Sequence, residues 1–187
     1  MQQPYRKVLI LGHSQVIRSC LTNIRNLFRE ETGLNNNLLI SVKGVSGASI
    51  NTFRRAGLIE SIARMQADAL VVFLGSNDLD TKDHVDLWAL IHRLYETIDY
   101  HRTEGMPTAV VTVEHRPTPT ITTPKIYKQR KNGFNQKLRS TCPYHIIPSV
   151  YREEETVDGV HFAAPANLRM FERIAEEVVN MVRPLGW

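Results

Sequence analysis

The chain has 187 residues, of which 42% are hydrophobic and 22% are charged, and its formal net charge is +4. This composition is typical of a globular protein and excludes disordered and fibrous chains, while no apolar run approaches the roughly 20 residues of a membrane span. The mild positive charge is compatible with an anionic partner without requiring one.

The two cysteines, Cys20 and Cys142, lie far apart and lack the spacing of a metal site or a disulfide framework. We expect reduced thiols in a cytoplasmic or intracellular protein, because the N-terminal residues lead straight into the first predicted strand and leave no room for a signal peptide. The sequence contains no internal repeat and no linker-like change in composition, which predicts a single domain over residues 1–187.

Strands and helices alternate along the chain, beginning with an apolar strand over 8–11 and a helix over 15–31. Further strands are predicted over 38–42, 69–74, 108–113 and 144–147, and further helices over 53–65, 83–102, 125–140 and 165–182. Asp83 is expected to cap the helix over 83–102, and Trp88 and Phe171 are expected to lie in the core.

This alternation predicts an α/β fold, a three-layer α/β/α sandwich around a five-stranded parallel sheet. A flavodoxin-like strand order of 2-1-3-4-5 is favoured over a nucleotide-binding order, because no GxGxxG or GxxxxGK motif follows a strand.

Four short segments follow predicted strands and should meet at the carboxyl edge of the sheet, where open α/β sheets bind ligands. They have the sequences GHS (12–14), VSGAS (45–49), GSND (75–78) and DGVH (158–161). Acyl transfer needs a nucleophile, a base, a carboxylate that orients the base, and donors for the developing oxyanion. The four segments contain a candidate for each of these groups.

Each candidate also has a purely structural interpretation. Ser14 suits a helix N-cap, Asn77 and Gly47 suit turns, and Asp158 with His161 suits an exposed polar pair beside a helix start. No single one of these residues therefore distinguishes a catalytic role from a structural one. The combination is more informative, because the four segments occur in a fixed order at successive strand ends.

In combination the segments resemble the SGNH hydrolase superfamily, also called GDSL-like esterases and lipases. The resemblance spans almost the whole chain, and its GxND and DxxH blocks are intact. It implies that Ser14 is the nucleophile, that His161 is the general base and acid, and that Asp158 orients His161. It also implies an oxyanion hole formed by the backbone N–H groups of Ser14 and Gly47 and by the side-chain amide of Asn77.

One departure from the family pattern lies beside the nucleophile. The first block usually reads Gly-Asp-Ser, whereas this chain has His13 before Ser14. Neighbouring residues on a strand point to opposite faces, so we expect His13 to have a local structural role and not to serve as the base for Ser14.

The most basic segment, residues 125–139, suggests a second class of function. Its cations are interleaved with Tyr127 and Phe134, a pattern that can hold phosphates and stack bases. An ordinary amphipathic helix with a solvated basic face is the preferred interpretation. The candidate polyanion-binding residues are Lys125, Lys128, Arg130, Lys131 and Lys137.

We therefore predict a serine esterase that acts on a small acyl or acetyl ester, with a small-molecule ester as its partner. The alternative is a weakly catalytic or non-catalytic module on the same scaffold that binds RNA or another polyanion. No cofactor and no metal are expected, because His84, His92 and His101 lack metal-ligand spacing and should be solvated or partly buried.

Overall fold

The structure is a computed structural model that describes residues 6–13 and 38–187. Its strands are β1 (Arg6–His13), β2 (Leu38–Val45), β3 (Ala69–Phe73), β4 (Thr108–Val111) and β5 (His145–Ile147). Its α-helices are α1 (Ala56–Ala63), α2 (Ser76–Leu79), α3 (Leu87–His101), α4 (Pro124–Thr141) and α5 (Ala164–Val182), and its 3-10 helices are Ile50–Arg54, Glu153–Glu155 and Arg183–Leu185.

The five strands form one parallel sheet in the order β2-β1-β3-β4-β5, which confirms the predicted order. Parallel neighbours are buried on both faces, and this explains the apolar runs of β1 and β3. Every residue of β3 is buried, as are the last six residues of β1.

Alternate side chains of the strands supply two separate cores. Val8 and Ile10 of β1 pack with the apolar side of α5, including Phe171, which lies in the core as predicted. Leu9 and Leu11 face the other side, where α3 and α4 cover the sheet. The two cores give the three layers that the sequence predicts.

The structure corrects several details. Asp86, and not Asp83, caps α3: its carboxylate accepts hydrogen bonds from the amides of Trp88 and Ala89. Trp88 is 47% exposed and lies against the Lys137 ammonium instead of the core. The helix predicted over 53–65 is divided, because the extended backbone of Arg55 separates the 3-10 helix Ile50–Arg54 from α1.

The helix predicted over 15–31, together with Ser14 and Cys20, lies outside the described residues. Within the described ranges, 6–13 and 38–187, no helix combines the length and apolar character needed to cross a membrane.

Candidate active site

A cavity of about 510 Å³ opens at the carboxyl edge of the sheet. Its walls come from five places in the chain: the end of β1, the turn after β2, the segment after β3 and the two long loops that follow β4 and β5. Most of the lining is polar or charged. The lining residues are His13, Ser46, Gly47, Asn77, Asp80, Arg116, Thr120, Ile121, Asp158, Val160 and His161.

Asp158 and His161 form a pair on one wall of this cavity. The Asp158 Oδ2 atom lies 2.5 Å from Nδ1 of His161, while Oδ1 accepts the backbone N–H groups of Val160 and His161 at 2.9 and 2.7 Å. These amide bonds lower the pKa of Asp158. The carboxylate is therefore ionised at neutral pH, and it leaves Nε2 of His161 as the nitrogen available for a proton transfer.

Aromatic stacking holds the Asp158–His161 loop on the sheet. Phe162 stacks on Tyr151 with ring centroids 3.8 Å apart, and Tyr151 in turn lies 6.4 Å from Phe73 at the end of β3. Asn167 in the first turns of α5 accepts the Tyr151 hydroxyl and donates to the Phe162 carbonyl. His161 thus precedes a residue with a fixed position.

The loop after β4, residues 114–123, closes the site from the other side. Asp80 holds it, because its carboxylate accepts the backbone N–H groups of Thr120, Ile121 and Thr122 at 2.8 to 2.9 Å. The backbone N–H of Thr118 also donates to the carbonyl of Gly159 at 3.0 Å. These contacts connect the segment after β3 to the Asp158–His161 loop.

Asn77 lies between the turn that contains Gly47 and the loop over 114–123. Its Nδ2 group donates to the Ala48 carbonyl at 2.8 Å, and its Oδ1 accepts from Arg116 at 2.9 Å. Gly47 has a left-handed backbone, with φ of +64°, which turns the chain toward the cavity. The two predicted oxyanion donors of the described chain therefore line the same cavity.

Asp78 fixes the distance between these two segments. Its carboxylate accepts the backbone N–H of Ile50 at 3.0 and 3.2 Å, and so ties the 3-10 helix that follows Gly47 to the residue next to Asn77. Burial raises the pKa of Asp78 to about 6, although the Ile50 hydrogen bonds act in the opposite direction.

His13, Glu114 and Arg116 form a buried polar cluster beside the cavity, which His13 and Arg116 line. Nε2 of His13 lies 3.5 Å from Oε1 of Glu114, and Nε of Arg116 lies 3.6 Å from the same oxygen. Burial is the main cause that lowers the pKa of His13; Arg116 and His161 act in the same direction, and Glu114 opposes them. His13 is therefore neutral at physiological pH.

Comparison with known proteins identifies the fold. No family sequence model matches the chain, and no characterised protein sequence matches it. Among solved structures, a carbohydrate esterase family 3 protein from Talaromyces cellulolyticus is similar, with a TM-score of 0.74 and 14% identity over 96% of this chain and 99% of the other.

Two further solved structures also have a fold similar to that of this chain. An acetylxylan esterase from Geobacillus stearothermophilus has a TM-score of 0.69 and 15% identity, covering 95% of this chain and 96% of its own. A protein of the G-D-S-L family from Desulfitobacterium hafniense has a TM-score of 0.67 and 10% identity, covering 91% and 98%. The chain has the fold of the SGNH hydrolases. The resemblance that the sequence motifs predict is thus confirmed at the level of the fold.

The structure brings four of the predicted SGNH site residues to one cavity, namely Gly47, Asn77, Asp158 and His161. Ser14 lies outside the described residues, and its role stays a prediction; His13, which precedes it in the chain, lines the cavity. Asp80, Glu114 and Arg116 are the site residues that the motifs did not reveal. The only sequence signal for these residues is that each is charged and follows a predicted strand, and this signal is weak.

Part of the basic segment makes structural contacts with other elements of the chain. Arg130 donates to the carbonyls of Leu79, Thr81 and Asp83, and Lys137 lies over the Trp88 ring at 3.9 Å. Tyr127 and Phe134 are fully buried, so these two rings are not accessible for the base stacking that the less favoured interpretation of this segment needs. Lys125 and Lys128 are exposed, and polyanion binding by this helix stays a prediction.

Proposed function

We propose that this chain is a serine esterase that hydrolyses a small acyl or acetyl ester through Ser14, His161 and Asp158. The observation that carries the proposal is the Asp158–His161 pair, with its short Nδ1 to Oδ2 distance, in a cavity that Asn77 and Gly47 also line. Acyl transfer requires a base that is oriented by a carboxylate and donors that can stabilise an oxyanion, and this cavity contains candidates for both.

In the proposed reaction Oγ of Ser14 attacks the ester carbonyl carbon, and Nε2 of His161 accepts the serine proton. The carbonyl π electrons move to the oxygen, and the resulting oxyanion is stabilised by Nδ2 of Asn77 and by the backbone N–H groups of Gly47 and Ser14. When the intermediate collapses, the carbon–oxygen bond to the alcohol breaks, and His161 returns its proton to the leaving oxygen.

Water completes the cycle by attacking the acyl-serine carbonyl while His161 accepts its proton. The second intermediate then releases the carboxylic acid, and Ser14 regains its hydroxyl proton. Asp158 stays ionised throughout and stabilises the protonated imidazole, which is consistent with the lowered pKa of its carboxyl group.

The cavity lining supports a small, polar ester as the substrate. Asp80, Arg116, Asp158 and His161 face it, whereas Ile121 and Val160 are the large aliphatic side chains among its described lining residues. The esterases of similar fold from Talaromyces cellulolyticus and Geobacillus stearothermophilus are, by name, a carbohydrate esterase and an acetylxylan esterase. An acetyl ester of a polar alcohol fits both observations.

Hydrolysis of 4-nitrophenyl acetate and of an acetylated sugar tests the proposal. We expect turnover by the natural chain that falls by at least about 1000-fold in Ser14→Ala and in His161→Ala. The rate should decline as the pH is lowered, because a protonated His161 cannot accept the serine proton. Equal rates for the natural chain and Ser14→Ala between pH 6 and 9 contradict the proposal.

A further inference from the structure

Arg116 has contacts that go beyond those needed to neutralise its buried charge. The residue is only 5% exposed, and its Nη2 group donates to Oγ of Ser76 at 2.7 Å and to Oδ1 of Asn77 at 2.9 Å. One guanidinium nitrogen thus bridges two consecutive residues of the segment after β3, and the second of these is the predicted oxyanion donor.

The bond from Arg116 determines which way the Asn77 amide faces. A guanidinium has only donors, so the Asn77 atom that faces it must be the carbonyl oxygen. With Oδ1 occupied, Nδ2 is on the opposite side, where one of its two hydrogens reaches the Ala48 carbonyl at 2.8 Å. The second hydrogen remains for a group in the cavity that Asn77 lines.

The reversed amide is unfavourable for two independent reasons. It places an NH₂ group against the guanidinium, donor against donor, and it places Oδ1 against the Ala48 carbonyl, acceptor against acceptor. Both sites are shielded from water, because Arg116 is buried and Ala48 is 2% exposed. The orientation is thus fixed before any substrate arrives.

Arg116 itself is held from three sides. Its Nε lies 3.6 Å from Glu114, its Nη1 lies 3.8 Å from Asp80, and its guanidinium lies over the Tyr127 ring at 5.9 Å. A planar, permanently charged fork can meet all of these groups together, whereas a lysine ammonium is a single point. The site therefore requires arginine, and not merely a positive charge.

We infer that Arg116 is a positioning residue that orients the Asn77 amide so that its free N–H points at the developing oxyanion. The inference rests on the proposed esterase function and adds to it a residue that acts through Asn77. Because an oxyanion donor acts mainly in the transition state, loss of its orientation should lower kcat and leave KM nearly unchanged.

A double-mutant cycle between Arg116 and Asn77 tests this inference. Asn77→Ala should lower kcat by about 100- to 1000-fold, and Arg116→Met by about 10- to 100-fold. In the Asn77→Ala background, Arg116→Met should cost less than about 3-fold, because no amide remains to be oriented. Multiplicative losses in the double variant overturn the inference.

Two further variants separate positioning from loss of structure. Arg116→Lys retains the buried charge beside Glu114 and Asp80, and should fold while still losing most of the kcat that Arg116→Met loses. Arg102→Met removes an arginine that pairs with Asp99 at the opposite edge of the sheet, and should leave kcat unchanged. If a folded Arg116→Lys variant has the full kcat of the natural chain, the inference that the site requires the planar guanidinium group is overturned.

A measurement that needs no turnover completes the test. In a ¹H–¹⁵N correlation spectrum, the two side-chain NH₂ protons of Asn77 are assigned by the loss of their signals in Asn77→Ala. Their ¹H chemical shifts should be widely separated in the natural chain, and the separation should become smaller in Arg116→Met. Unchanged signals overturn the inference alone. Absence of turnover in the natural chain contradicts the esterase proposal, so the two failures are distinguishable.

Discussion

His13 shows how one substitution is accommodated inside a buried cluster. The family pattern has a carboxylate at this position, whereas here the imidazole faces Glu114 at 3.5 Å and lies 5.2 Å from the Phe73 ring. A neutral imidazole avoids a second buried negative charge beside Glu114, because Arg116 already lies near the carboxylates of both Glu114 and Asp80. The departure at position 13 is thus coupled to residues of the loop after β4.

This coupling predicts that the usual family residue is unfavourable here. His13→Asp should be less stable than His13→Asn by about 2 kcal/mol at pH 8, because two carboxylates then share one buried site. The difference should shrink toward pH 5, since proximity raises the pKa of one carboxylate and that group becomes protonated. Urea unfolding at the two pH values measures it, and equal stability of the two variants at pH 8 contradicts the coupling.

Gly159 is the residue on which the geometry of the Asp158–His161 turn depends. Its φ is +80°, and a Cβ atom there would overlap with the Thr118 side chain. Gly159→Ala should therefore shift the loop and lower kcat/KM by about 10- to 100-fold, because small misplacements of catalytic groups are costly.

Gly105→Ala is the matched control for this change. Gly105 has a similar φ of +75°, but nothing lies within 4 Å of its added Cβ, and it belongs to the opposite edge of the sheet. Backbone strain should cost both variants about 1 kcal/mol of stability, and Gly159→Ala should lose more because of the overlap with Thr118. Only Gly159→Ala should lose activity. Equal activity of the two variants contradicts the role assigned to the turn.

At the scale of elements, the segment after β3, which includes the short helix α2, and the loop after β4 carry more of the site than the long helices do. Asp78 joins the segment after β3 to the 3-10 helix Ile50–Arg54, and Asp80 joins it to the loop over 114–123. Both carboxylates accept backbone N–H groups, and such bonds fix loops that have no regular secondary structure.

The raised pKa of Asp78 makes the stability of the folded chain depend on pH, because burial disfavours the ionised carboxylate. Since its pKa is about 6 in the folded chain, above the ordinary value of 3.8, its favourable contribution is fully present below the ordinary value and is lost as the pH rises through 6. Asp78→Asn cannot ionise. Relative to the natural chain, it should gain about 1 kcal/mol of stability between pH 5 and pH 8.

Unfolding midpoints in urea at the two pH values check this expectation, with Asp83→Asn as the control. Asp83 is exposed, so its substitution should give a stability difference that does not change over the same range. If the difference between Asp78→Asn and the natural chain does not vary with pH, Asp78 is not the titrating group.

The sequence predicts well where contacts are local or periodic. The five strands follow from apolar runs, and the Asp158–His161 pair follows from a spacing of three residues, which one turn can close. The predicted meeting of Gly47, Asn77 and His161 needed only the rule that parallel strands end at the same edge.

The remaining features depend on contacts between distant loops, which no local pattern specifies. Arg116 reaches Ser76 and Asn77 across about forty positions of the chain, and nothing in the sequence around it distinguishes it from an exposed loop arginine. The prediction that Trp88 lies in the core is wrong, although its helical spacing matches the apolar stripe of α3; Lys137 of α4 covers its ring at the surface instead.

At the scale of the whole molecule, the apolar cores that stabilise the fold and the candidate active site lie at different places on the sheet. The two cores lie on the faces of the sheet, where α5 covers one side and α3 and α4 cover the other. The charged side chains Asp80, Arg116 and Asp158 line a cavity of about 510 Å³ at the carboxyl edge. This separation accounts for a shared fold at 14% to 15% identity, because the cores need only apolar side chains of suitable size.

Covalent labelling of the intact chain with a fluorophosphonate tests the central claim, that Ser14 is activated by His161, most directly. Mass spectrometry should place the phosphonyl group on the peptide that contains Ser14, with labelling abolished in Ser14→Ala and slowed at least about 100-fold in His161→Ala. A chain that is not labelled, or that is labelled equally fast in His161→Ala, contradicts the account.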